Sequence, residues 1–237
     1  MKKLFLIFYL ICFFSLSSEV WAGHNLFPCE IIYKDTEHLK ATETIFNDLL
    51  YAKIDIPKKD HLATLKHIPA FEPEILYIVY RESSGYVIQR IVASTDTRDL
   101  VHVTARNNNI HTKDIPQNID KLSDLLSPAI TFTSSTKKIS DKLASHVLTI
   151  FNDQMASARD FTKREEKELF SYMYGPFFIF RSRPDKCTMG TLTMQSPAKK
   201  LIDIMFILED LFDRNNDNAS EAVRKILQIS SDPEDNY

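Results

Sequence analysis

Of the residue types that do chemistry, the chain offers seven histidines, three cysteines and a dispersed set of carboxylates. Two imidazoles bind one metal from a single helix or strand only when they are about one turn, or two residues, apart. No pair fits: His61 and His67 are six apart and His102 and His111 nine apart. No metal site is expected. The run from Asp213 to Asn218 begins like a calcium loop, with oxygen side chains at the first, third and fifth positions. Asn218 then stands where the sharp turn wants glycine, and Arg224 where a bidentate glutamate belongs. A helix–loop–helix connection capped by Asn218 explains the same residues. Asn218-Ala219-Ser220 is also a glycosylation sequon, relevant only in a host that glycosylates exported proteins.

Only four glycines occur, at 23, 85, 175 and 190, too dispersed to cradle a phosphate or dinucleotide, so no cofactor is expected. No Gly-x-Ser-x-Gly elbow is present. A hydrolase triad assembled from distant residues stays open, because triads are defined by geometry; His102 or His111 would have to meet a serine and a carboxylate in a cleft. The charge run Lys163-Arg164-Glu165-Glu166-Lys167-Glu168 suits a solvated helix face, with Arg164 and Glu168 one turn apart.

The cysteines speak to compartment. Lys2 and Lys3 precede an unbroken apolar run from Leu4 to Phe14, and Val20-Trp21-Ala22 has the permissive residues of a cleavage site. Residues 1–22 read as a signal peptide cleaved after Ala22, its apolar run shorter than the ~20 residues that span a bilayer; an uncleaved anchor is the alternative. Cys12 leaves with it. Cys29 and Cys187 remain, an even number in an exported chain, so a disulfide between them is expected. Closing so long a loop stabilises by at most about 5 kcal/mol in the chain-entropy model. The formal charge of the whole chain is −3, and without residues 1–22 slightly more acidic, which argues against nucleic acid or an anionic membrane as main partner.

These groups must be positioned by an α+β arrangement: an antiparallel sheet, made of a meander and a C-terminal hairpin, packed against several amphipathic helices, in one domain over residues 23–229. Cys29 to Tyr33 reads as a short strand. Thr36 to Tyr51 reads as a helix capped by Asp35, with His38 exposed in its first turn. Prolines 57, 69 and 73 mark residues 52–74 as a connection, with room for a helical turn from Asp60 to Lys66. Ile75–Arg81, Tyr86–Ser94 and Leu100–Arg106 follow as the three strands of the meander. Gln117–Ser127 is a short helix, Ala129–Thr133 a short strand, and Thr136–Arg159 a long helix with Leu143, Val147, Ile150, Phe151 and Met155 on its apolar side.

The capping box Thr162-Lys163-Arg164-Glu165 opens another helix, ending near Gly175. Pro176–Arg181 and Cys187–Met194 form the hairpin, and Ser196-Pro197 starts a strongly apolar helix through Phe212. A last helix runs to about Gln228, and residues 230–237 form a polar, acidic tail expected to be disordered.

The expected role is that of an exported protein, periplasmic or secreted, without membrane attachment after cleavage. It would bind a protein or envelope ligand rather than act as an enzyme, by analogy in the manner of an immunity protein or inhibitor. A sheet edge is the expected docking element, with Tyr77, Tyr80 and Tyr86 as anchors if exposed, and His102 nearby. The alternative is a periplasmic hydrolase with a dispersed Ser/His/acid site.

Overall fold

A computed structural model describes residues 26–56, 61–69, 72–156, 177–182, 186–190 and 199–213, with 224, 225 and 228 in helix. The elements, in chain order, are β1 (Phe27–Pro28), α1 (Cys29–Asp35), α2 (Glu37–Lys53), β2 (His61–Ile68), β3 (Ile75–Glu82) and β4 (Gly85–Ala93). Then come α3 (Thr97–Asn107), a 3-10 turn (Thr112–Asn118), α4 (Ile119–Leu126), β5 (Phe132–Ile139), α5 (Asp141–Ala156), β6 (Phe177–Ser182), β7 (Lys186–Gly190) and α6 (Lys199–Asp213). The seven strands form one antiparallel sheet in the order β1-β7-β6-β2-β3-β4-β5. The α+β class, the β3–β4 and β6–β7 pairings and the Cys29–Cys187 disulfide are as the sequence leads one to expect.

Alternation along the strands sends side chains to two buried faces. Ala63, Leu65, Tyr77, Val79, Ile88, Phe178 and Phe180 meet α5 and α6, whose Leu143, Val147, Phe151, Leu201, Ile204 and Leu208 close that core. On the opposite face Leu76, Ile78, Tyr80, Val87 and Ile91 take Phe46 and Leu50 of α2. Nearer β7, Ile68, Ile179 and Met189 take Ile32 of α1. The other side of α2 (Ala41, Ile45, Leu49) carries a further layer built from α3, the 3-10 turn and α4. α2 is thus buried along two stripes. α6 is apolar almost all round as expected, though Phe206 keeps half its surface exposed.

Five local expectations are corrected. Residues Cys29 to Tyr33 are helical: only Phe27 and Pro28 pair with β7, and Cys29 and Ile32, a helical turn apart, face the core. Thr36, rather than Asp35, stands between α1 and α2; its hydroxyl donates to the Ile32 carbonyl oxygen (2.6 Å) and makes no cap bond to α2.

The connection proposed over residues 52–74 contains β2, which lies in the sheet between β6 and β3. Pro69 and Pro73 follow this strand rather than break it, and Pro57 lies outside the described residues. Its polar Thr64, Lys66 and His67 hide the signal that a buried strand normally gives.

Leu100–Arg106 is the middle of α3, not a strand. Thr97, Val101 and Ala105, at spacing four, are its buried residues, and Asp96 caps it by accepting from the Asp99 N–H (2.9 Å). The β-branched residues that suggested a strand yield to that cap and that stripe. Thr136 to Ile139 belong to β5, and the long helix starts only at Asp141, after Ser140 accepts a bond from the Leu143 N–H. The cap candidates at Thr162 and Ser196-Pro197, the loop from 214 to 218, the signal segment 1–22 and the tail 230–237 lie outside the described residues. No helix among the described residues is long and apolar enough to cross a membrane.

Candidate functional site

β5 is one edge of the sheet. Its ends are anchored: Phe132 meets Phe46 edge-on with ring centres 5.5 Å apart, and Ile139 is buried against α5. Between them Thr133, Ser134, Ser135, Thr136 and Lys138 are exposed. β-branched threonines suit the extended backbone without needing burial. Gln89 donates to Ser134 Oγ (2.8 Å) across the β4–β5 pair. Lys137 turns away from the edge; its ammonium donates to the Leu211 carbonyl oxygen at the end of α6 and lies 5.8 Å from the centre of the Phe212 ring. The outer side of β5 has no strand partner among the described residues, so alternate backbone N–H and C=O groups are presented outward.

A second assembly of functional groups is internal. Lys66, on β2, is almost wholly buried beneath α2. Its ammonium is 2.7 Å from Glu43 Oε2 and 3.2 Å from the centre of the Phe46 ring. Arg181 of β6 reaches Glu43 from the solvent side at 3.6 Å. The Tyr33 hydroxyl of α1 faces the same carboxylate; burial, and then Glu43, push its pKa well up, against the pull of Arg181. Glu74 is also buried, and its carboxylate accepts the Thr97 N–H (2.9 Å) and Arg98 N–H (3.3 Å) at the start of α3. Burial raises its pKa, opposed by Lys66 and by hydrogen bonds from Thr97 and from its own backbone. A cavity of about 40 Å³ lies among Tyr33, Glu43, Lys66, Glu74 and Arg98, with room for little more than a water molecule. This ionic cluster ties α1, α2 and α3 to the sheet. The prolines around it mark Lys66 as part of a connection; a lysine inside the apolar-rich run from Leu62 to Ile68 is the one sequence signal of the cluster.

The residues singled out in the sequence fall apart in space. Tyr77 and Tyr80 are buried on opposite faces of β3, so neither is a surface anchor: a strand between two helical layers leaves no exposed face. Tyr86 is half-buried beside Arg81, 5.5 Å from its guanidinium carbon. His102 faces His38 of α2, the ring centres 6.0 Å apart; His38 is half-buried rather than exposed. Burial lowers both pKa values, and His38, Arg98 and Arg106 lower that of His102 further.

Among the described residues, no group of three or more His, Cys, Asp or Glu side chains is placed to hold a metal. A groove of about 610 Å³ runs past the disulfide, lined by Glu30, Lys34, Glu37 and Lys40. These four side chains are exposed or half-exposed, with alternating charge.

No protein-family model matches the chain, and neither the curated proteins nor the solved structures contain a significant match.

Proposed function

We propose that this is an exported protein that works by binding, accepting an extended segment of a protein partner as an added strand at β5. The observation that carries the reading is the eight-residue β5, exposed from Thr133 to Thr136 and at Lys138, with no strand on its outer side among the described residues. Strand addition draws affinity from the backbone groups of such an edge. Export is supported by the basic and apolar segment at the N-terminus and by the disulfide between Cys29 and Cys187. A hydrolase centred on His102 is less well supported: the charged groups that act on that imidazole are His38, Arg98, Asp99 and Arg106, three of which lower its pKa, and only Asp99 could serve as the acid of a triad.

Photo-cross-linking in the native host tests the binding edge. A photoreactive residue at Ser134 or Lys138 is expected to give one dominant adduct, and the same residue at the exposed Lys113 none. Equal labelling from both regions, or none from β5, would sink the reading. N-terminal sequencing of the chain recovered from the envelope fraction tests export, with Gly23 as the expected first residue.

A further inference from the structure

We infer that the strand β5 accepts is the β5 of a second copy of this chain, paired antiparallel about a two-fold axis perpendicular to the sheet. The inference rests on the reading of β5 as the binding edge. The two edges of the sheet are built differently. β1 is two residues long and ends in Pro28, and the next rung toward β7 is closed by the Cys29–Cys187 disulfide, with Cα atoms 5.4 Å apart. A short edge ending in proline is protected against pairing. β5 has neither device: it lacks proline, and its register with β4 runs without a bulge from Tyr86↔Ile139 to Ala93↔Phe132. Lysines are the usual remaining guard; Lys137 is drawn inward to the Leu211 carbonyl oxygen, which leaves Lys138, near the end of the strand, as the one exposed lysine of β5.

The side chains favour a copy of β5 over an unrelated strand. From Thr133 to Thr136 the strand is all Ser and Thr, so it offers no apolar side chain of its own to select a partner's residues. Specificity must therefore come from cross-strand pairs, and these are self-complementary. A two-fold centred on Ser135 sets Lys137 opposite Thr133 and Lys138 opposite Phe132. Centred on Thr136, it sets Lys137 opposite Ser135 and Lys138 opposite Ser134. Both registers put hydroxyl side chains face to face at the axis and no lysine opposite another, pairings that stabilise an antiparallel sheet. Each residue keeps its face, so the two sheets continue across the junction with Ser and Thr on both faces of the seam. A parallel copy in register would instead stack the lysines. One strand-to-strand seam buries less area than a permanent dimer needs, so the association is concentration-dependent.

Light scattering after size exclusion, on the oxidised chain across micromolar concentrations, tests this together with amide exchange of β5. A dimer is expected, with slowed exchange over residues 132–139. Ser135→Lys, at an exposed position, puts like charges opposite in both registers and should weaken the dimer at least about tenfold while leaving the monomer folded by circular dichroism. Ser135→Glu must also move the affinity: up if the axis is at Thr136, where the introduced carboxylate meets Lys137, and down if it is at Ser135, where two such carboxylates meet. A dimer indifferent to both substitutions overturns the inference, as does a monomer at every concentration with fast β5 exchange. If the chain is monomeric but β5 still cross-links to a different protein, the inference falls and the binding edge stands.

Discussion

Lys66 Nζ lies 2.7 Å from Glu43 Oε2 in a site where both side chains are nearly closed to solvent. Glu43 and Phe46 are a turn apart on α2, and the ammonium touches both. One cation on the sheet therefore fixes the rotation of the helix above it. Burying it costs desolvation, which the pair recovers only with both members present.

Breaking that pair one member at a time should be costly. Lys66→Met or Glu43→Gln is expected to lose about 3 kcal/mol of unfolding free energy in urea titrations, because each leaves a buried charge behind. Lys66→Met/Glu43→Gln should lose less than the sum, with a coupling of about 1–3 kcal/mol. Additive losses would show that the contact does not matter.

The start of α3 is held by two carboxylates. Asp96→Ala removes the side-chain cap and should cost about 1 kcal/mol. Glu74→Ala exposes the Thr97 and Arg98 N–H groups inside the protein and should cost more, about 2–3 kcal/mol. Equal losses in thermal unfolding would contradict that ranking.

The disulfide joins residues 158 apart in sequence. Cys29→Ser/Cys187→Ser, or reduction of the native chain, is expected to remove about 2–5 kcal/mol. Reductant should then have no effect on the double serine variant. A residual effect would mean another thiol is involved.

Acid should weaken the fold through His67, whose ring stacks on Phe178 at 4.7 Å. Burial lowers its pKa to about 4, against about 6.5 in the unfolded chain. The unfolded state takes up the proton first, so stability is full above about pH 6.5 and falls as the pH drops toward 4. Partial exposure limits the loss to about 1–2 kcal/mol. His38 and His102, also lowered, act in the same direction; Glu74, raised, acts with the opposite sign just above the usual carboxylate range. His67→Phe should flatten the profile between pH 4 and 6.5 in denaturant titrations, and an unchanged slope would assign the loss to other groups.

Local patterns told most where one face or one turn dominates. The Glu82-Ser83-Ser84-Gly85 turn, with Gly85 at φ 126°, announces the β3–β4 hairpin, and the apolar repeats of α2, α5 and α6 place them within a few residues. They failed where a segment's neighbours lie far along the chain. β2 holds a lysine that only Glu43, β3 and β6 make tolerable. β5 reads as the end of a short strand and the start of a helix because one of its edges and much of its surface stay wet, so its residues carry no apolar alternation.

From the sequence alone came the α+β class, the pairing of Cys29 with Cys187, and the apolar stripes of the long helices. Each depends on periods within one segment or on simple counting. The tertiary structure decided that β2 is central, that α3 is a helix, that Tyr77 and Tyr80 are core, and that β5 ends the sheet among the described residues. Those outcomes depend on which strands become neighbours, and that is set by long-range burial and charge pairing rather than by any residue's preference for its own backbone.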